Sequence, residues 1–292
     1  MSSRARIPEV NKPIPISPVE HYENFPVASW LCPPRLRPPI AAIYHYARTA
    51  DDIADEGDAS TQQRLDDLGA YRADLLAVAQ GQAHSGRWPQ VFDPLKAMQA
   101  AFRLPVPLLD DLLDAFAQDV RKTRDGASYA DHAELLDYCR RSANPVGRLL
   151  LHLYGVQDET ALRESDAICS ALQLINFWQD LSRDIPRGRH YLTDADCAAQ
   201  GVRREELAAL TPTPRILALI AAQVQAARAL MQQGAPLVHR IPGRAGWELR
   251  LVVQGGLRIL DKIEALGFNS VQHRPTVGAA DAPRLLWRSL WM

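Results

Sequence analysis

Residues 48–56 read Arg-Thr-Ala-Asp-Asp-Ile-Ala-Asp-Glu and follow the apolar run Ile40-Ala41-Ala42-Ile43-Tyr44. Four of the nine are acidic, yet they continue the spacing of three and four set by the apolar residues, so one helix carries both. On it, Arg48, Asp51, Asp52 and Asp55 form a stripe. A second stretch repeats the device: residues 173–186 read Gln-Leu-Ile-Asn-Phe-Trp-Gln-Asp-Leu-Ser-Arg-Asp-Ile-Pro. Here Gln173, Asn176, Asp180 and Asp184 share a face. Carboxylates one turn apart repel, by about 0.3 kcal/mol on an exposed helix and by far more when buried. Alone, the first stretch reads as a solvated face. The second sits among Ile175, Phe177, Trp178 and Gln179, which do not read as a solvent face. Two such faces opposed across a bundle suit Mg²⁺, which takes one or two carboxylates and completes its shell with water and phosphate oxygens.

Outward from these stretches the chain reads as all-α. Apolar residues recur at helical spacing over roughly 40–56, 61–80, 89–103, 107–122, 131–154, 158–184, 214–233, 245–265 and 282–291, between Gly and Pro punctuation. No alternating strand pattern appears. Nine of the 21 prolines lie in residues 1–39, so this arm is expected to lie extended against the body rather than as regular helix. Residues 40–292 are read as one helical domain.

Composition bounds the function. The 292 residues are 47% hydrophobic, enough for a sizeable core, and a net charge of −1 argues against a nucleic-acid partner. The four cysteines form no C-x-x-C pair, which argues against zinc or a redox motif. Neither a secretory signal nor an apolar run of spanning length is visible, so a cytoplasmic location is expected. No dinucleotide fingerprint or phosphate-binding loop occurs.

The acidic stretches, with L-L-D-A-F-A-Q-D-V-R-K-T-R at 112–124, Y-C-R-R-S-A-N-P-V-G at 138–147 and R-G-R-H-Y-L at 187–192, resemble the squalene/phytoene synthase family. Within that family, V-E-H-Y-E-N-F-P-V-A-S-W at 19–30 and N-F-W-Q-D-L-S-R-D-I-P at 176–186 look most like the bacterial hydroxysqualene synthases of hopanoid biosynthesis. The resemblance implies the type I isoprenoid synthase fold, a single-domain helical bundle around a central apolar cavity. It implies Mg²⁺-dependent conversion of presqualene diphosphate and water to hydroxysqualene and diphosphate. Asp51, Asp55, Asp180 and Asp184 become Mg²⁺ ligands, with Asp52 counted beside them. Arg48 would contact diphosphate, Gln173 and Asn176 would line the site, Tyr138 matches a pocket tyrosine, and Arg189 and Tyr191 match an R-x-Y in which the arginine caps the leaving group.

Departures from the family pattern shape the expected specificity. His21, Tyr22, Asn24 and Phe25 stand where condensing members commonly carry serines, and are taken as substrate-binding. Gln179 replaces an arginine, Arg183 an acid, Asn144-Pro145 a glycine-threonine pair, and Gly256 a tyrosine. The losses fit a substrate with one diphosphate. Tyr22, Asn24, Asn144 and Gln179 are the candidates to position the captured water; alternatively Asn144-Pro145 only kinks a helix. Phe25, Val27, Leu149, Leu150, Ile175, Phe177 and Trp178 are candidate cavity walls, or ordinary core. His45 and His190 are read as packed or solvated rather than as ligands.

The C-terminal helix carries Arg284 and Arg288 on one face with Leu286, Trp287, Leu290 and Trp291 around the others. It is read as docked on the core, with peripheral contact at the inner face of a membrane as the alternative. Loose association with other hopanoid-pathway enzymes is a further expected partnership. Two other functions stay open: a condensing synthase that joins two prenyl diphosphates, and a non-catalytic helical module that binds metal or partners.

Overall fold

The computed structural model describes residues 32–241 and 243–292. A short 3₁₀ turn, Pro34–Leu36, leads into α1 (Arg37–Asp55), α2 (Thr61–Ala79), α3 (Pro89–Phe102), α4 (Val106–Asp125), α5 (His132–Ser142), α6 (Asn144–Tyr154) and α7 (Glu159–Asp184). After the turn Ile185–Arg187 come α8 (Asp194–Ala199), α9 (Arg204–Ala208), α10 (Pro214–Gly234), the turn Ala235–His239, α11 (Arg244–Ala265), the turn Ala279–Asp281 and α12 (Ala282–Leu290). Among the described residues there is no strand.

Local chemistry sets the boundaries. Ser60 and Gln63 form a capping box at the start of α2, and Asp158 caps α7 by accepting from the Thr160 and Ala161 amides. Each such cap stabilises its helix by about 1 kcal/mol. Gly126 ends α4 at φ 58°, a backbone state that costs glycine little.

Three features differ from the sequence expectations. Helix α1 begins at Arg37, because Pro38 and Pro39 fall in its first turn, where no amide donor is needed. The arm thus gives up its last residues to the helix. The expected 131–154 helix breaks at Ala143 (φ −121°, ψ −47°), since the Pro145 ring cannot follow Arg141 in an unbroken helix. The short α8 and α9 were not expected; α8 is pinned by the Thr193 cap and by the Asp194 amide donating to the Tyr129 carbonyl at 2.9 Å. The rest of the arm, including His21, Tyr22, Asn24, Phe25 and Val27, lies outside the described residues.

One apolar cluster joins α1–α4 to Leu149 and Leu153 of α6. Its centre is aromatic: Tyr71 and Phe92 lie 4.7 Å apart, and the Tyr46 and Tyr71 hydroxyls donate to the Leu109 and Tyr46 carbonyls at 3.2 and 3.0 Å. The second cluster surrounds α7 with α5, α10 and α11. Helix α7 is buried on most of its faces, as a central helix must be. Its neighbours approach through glycines. A Cβ on Gly234 would lie 2.5 Å from the Glu164 carbonyl oxygen, and one on Gly256 would crowd Met231, Leu172 and Ile175. Any side chain at Gly256 would have to displace the ends of the Met231, Leu172 and Ile175 side chains, so the glycine serves the close packing of α11 against α7 and α10.

Candidate active site

Helices from both clusters enclose a cavity of about 1040 Å³. On α1 it is lined by Ile40, Ile43, Tyr44, Ala47, Arg48, Asp51 and Asp55, a stripe of three and four spacing that turns from apolar to acidic toward the helix C-terminus. On α7 the stripe runs from Ser165 and Ile168 through Leu172, Gln173, Asn176 and Phe177 to Asp180 and Asp184. Both acidic ends therefore face one end of the cavity. Ile241, Ala245, Leu249 and Val252 wall the other.

The charged end is tightly paired. Arg48 reaches Asp51 at 3.0 Å and Asp52 at 2.8 Å. Past α7, Pro186 begins a turn that Gly188 closes at φ 75°. The Arg189 amide then donates to the Asp184 carbonyl at 3.0 Å. This turn brings the Arg189 guanidinium back across the cavity to Asp55. Arg274 forks onto both carboxylate oxygens of Asp180. Burial pushes the Asp184 carboxyl up to about 6, with Asp180 and Asp55 adding to the rise and Arg189 and Arg187 opposing it. Burial alone would lower the Arg189 pKa, but Asp55, Tyr191 and Asp184 together raise it above its ordinary value, so it stays protonated.

Beneath these groups lies an aromatic wall. Phe177 and Tyr191 stack at 3.6 Å with their planes 9° apart, and Tyr138 packs beside both. The Tyr138 hydroxyl donates to Asp119 at 2.6 Å. Burial pushes the Asp119 carboxyl up to about 7; the Tyr138 bond and Arg189 pull it down, while Asp55 and Asp51 push it further up.

Of the expected residues, Arg48, Asp51, Asp55, Tyr138, Gln173, Asn176, Asp180, Arg183, Asp184, Arg189 and Tyr191 all line this one cavity. Three do not. Asp52 lies off the lining stripe and pairs with Arg48. Asn144 is buried off the cavity, accepting from the Ser170 hydroxyl at 2.9 Å, and Gln179 is buried donating to the Pro275 carbonyl at 2.7 Å. One polar atom of each is thus taken by protein, and neither side chain lines the cavity. Among the expected walls, Leu150 and Phe177 line the cavity, whereas Leu149, Ile175 and Trp178 are core. His45 is exposed beside Tyr44, and His190 is not among the lining residues.

Asp119, Arg274 and Glu248 line the cavity without having been singled out. Asp119 carried a signal: it continues the apolar stripe of Leu112 and Phe116, and a carboxylate on such a stripe asks for a reason. Glu248 sits likewise between Ala245 and Val252. Arg274 lies in a loop where periodicity says nothing.

The donors at the charged end are hard carboxylate oxygens, the set that suits Mg²⁺. Among the described residues no three His, Cys, Asp or Glu side chains close into a metal cage.

The sequence profile of the squalene/phytoene synthases matches residues 19–281. The hydroxysqualene synthase of Rhodopseudomonas palustris is 35% identical over 83% of this chain and 80% of its own length. That of Sinorhizobium fredii is 34% identical over 86% and 82%. The crystal structure of a squalene synthase from Alicyclobacillus acidocaldarius superposes with a TM-score of 0.77 at 36% identity, covering 85% of this chain and 90% of that one. A dehydrosqualene synthase crystallised with a ligand has the same fold, with a TM-score of 0.75 at 20% identity over 89% and 88%.

Proposed function

Because the chain belongs to the squalene/phytoene synthase family, we propose that it is a hydroxysqualene synthase, converting presqualene diphosphate and water to hydroxysqualene and diphosphate. The observation that carries this reading is the cavity's polarity. Two acidic stripes and the arginines across them gather at one end, and the rest of the wall is mainly apolar, with Glu248 set in it. One charged end suits one diphosphate on a long apolar substrate. The relatives named hydroxysqualene synthase favour the same reaction.

Asp51, Asp55, Asp180 and Asp184 would hold Mg²⁺, which when bound supplies Lewis-acid stabilisation of the charge developing on diphosphate. Arg48, Arg189 and Arg274 stand at those carboxylates and offer fixed positive charge to the same oxygens. The stacked Phe177 and Tyr191 and the neighbouring Tyr138 turn aromatic faces and edges to the cavity, which stabilises a carbocation and keeps bulk water from it. Asn144 and Gln179 do not line the cavity, whereas Tyr138 and Asp119 form a hydrogen-bonded polar pair in that wall. We assign the captured water to them: the Tyr138 oxygen holds it, and Asp119 takes up the proton released as the C–O bond forms.

The test is product analysis. Purified protein with Mg²⁺ is given presqualene diphosphate or farnesyl diphosphate, without a nicotinamide cofactor. Hydroxysqualene from the first and no turnover of the second is the expected result. Consumption of farnesyl diphosphate would move the protein to the condensing branch, and inertness toward both would leave the non-catalytic module.

A further inference from the structure

Helix α12 reverses the usual order of an amphipathic surface helix. Its buried residue is Ser289, whereas Leu286, Trp287, Leu290 and the following Trp291 are 54, 63, 56 and 76% exposed. Surface helices ordinarily turn their apolar stripe inward. Single exposed apolar residues need no account, but a contiguous patch does. These residues are contiguous: the Trp287 and Trp291 rings lie 5.7 Å apart. Trp247 of α11 is also exposed, with the Arg250 guanidinium 5.7 Å over its ring.

Polar contacts hold the helix with that face outward. Arg284 and Arg288 reach Asp261 of α11 at 3.1 and 3.0 Å. Arg250 donates to the Ser289 carbonyl at 3.3 Å. Arg228 joins the same cluster, bonding Asp261 and Glu264, each at 3.1 Å. Three guanidinium groups thus meet two carboxylates, leaving positive charge beside the tryptophans, with Arg250 adding to it. Arg228, Arg288, Trp287 and Trp291 line a shared surface groove. No described helix is long and apolar enough to cross a membrane. A Trp/Leu face bordered by arginines instead complements the interfacial zone of a bilayer with anionic headgroups. Helix α12 packs on α11, and α11 in turn lines the cavity through Ala245, Leu249 and Val252.

We infer that α12 is an interfacial helix that seats the protein on an anionic phospholipid surface, with Leu286, Trp287, Leu290 and Trp291 entering the headgroup–acyl boundary. An apolar product formed in a cavity bordered by α11 is then close to the lipid on which α12 sits. That last benefit rests on the proposed reaction; the patch and its arginines do not. The test uses no substrate, so its failure is distinct from a failure of that reading.

The full chain is floated with phosphatidylcholine vesicles, with and without phosphatidylglycerol. Binding to the phosphatidylglycerol vesicles, several-fold weaker on phosphatidylcholine alone and weakened by salt, is expected. The double variant Trp287→Ser/Trp291→Ser should lose at least about tenfold in partitioning, roughly 1.4 kcal/mol. Its circular dichroism and thermal midpoint should be unchanged, because both side chains are exposed. Wild type floating with neither vesicle, or a variant that floats as well as wild type, overturns the inference. So does a wild-type dimer that the variant dissolves without any vesicle binding, since the patch would then be covered by a second copy.

Discussion

Replacing Asp119 by Asn isolates the carboxyl that lies under both acidic stripes. Asp119 accepts from the Tyr138 hydroxyl at 2.6 Å. Asn offers an acceptor oxygen in the same place, so the variant keeps the contact and loses only the charge. In the folded protein burial pushes this carboxyl up to about 7, whereas an unfolded aspartate titrates at about 3.9. Between those values the folded state keeps a proton that the unfolded state has released. Wild type therefore loses stability as pH rises through that window. The whole window corresponds to about 4 kcal/mol, and the part from about pH 5 to about pH 8 to roughly 2.6 kcal/mol. Asp119 is reached from the cavity, and screening there trims the second figure to about 2 kcal/mol. Asp119→Asn has no such window, and other titrations are common to both proteins. Urea unfolding in Mg²⁺-free buffer should show the stability difference moving in favour of the variant by about 2 kcal/mol from about pH 5 to about pH 8. A difference that stays flat, or moves the other way, refutes the argument.

Other consequences are as direct. Asp180→Asn should weaken Mg²⁺-dependent turnover by at least about 100-fold, since a ligand matters no less than its outer partners; a titration of Mg²⁺ with diphosphate that matches wild type would contradict the assignment. Gln179→Leu leaves the Pro275 carbonyl buried without its donor and should destabilise the fold by about 1–3 kcal/mol in denaturant unfolding. Because Gln179 does not line the cavity, the product spectrum should stay the same, and a new product would reverse that conclusion. Gly234→Ala drives a Cβ to within 2.5 Å of the Glu164 carbonyl oxygen, which should cost about 1–3 kcal/mol by thermal unfolding; full stability would mean that α10 is not seated on α7 as described.

The sequence by itself determined the long helices, though not the break at Ala143 or the short α8 and α9, and it determined the two acidic stripes. Residues four apart on one helix share a face whatever that helix later packs against, so Asp51 with Asp55 and Asp180 with Asp184 were legible from spacing alone. The family was legible for a related reason: its motifs are short, and each is read within one helix or turn. Only the tertiary structure decided which way each helix is turned and what it meets. Asp52 lies one position from Asp51 yet leaves the cavity. Gln179 lies one position from Asp180 yet is bonded to Pro275. A step of one residue is about 100° around the axis, and neighbours distant in sequence determine where that angle points. The pairs Arg189–Asp55 and Arg274–Asp180 join residues far apart in the chain, and Arg274 comes from a loop with no periodicity to reveal it. Asp119 shows the boundary most clearly. Its place on an apolar stripe could be read from spacing, but the burial and the surrounding carboxylates that push up its pKa exist only once α1, α4, α5 and the turn carrying Arg189 have come together.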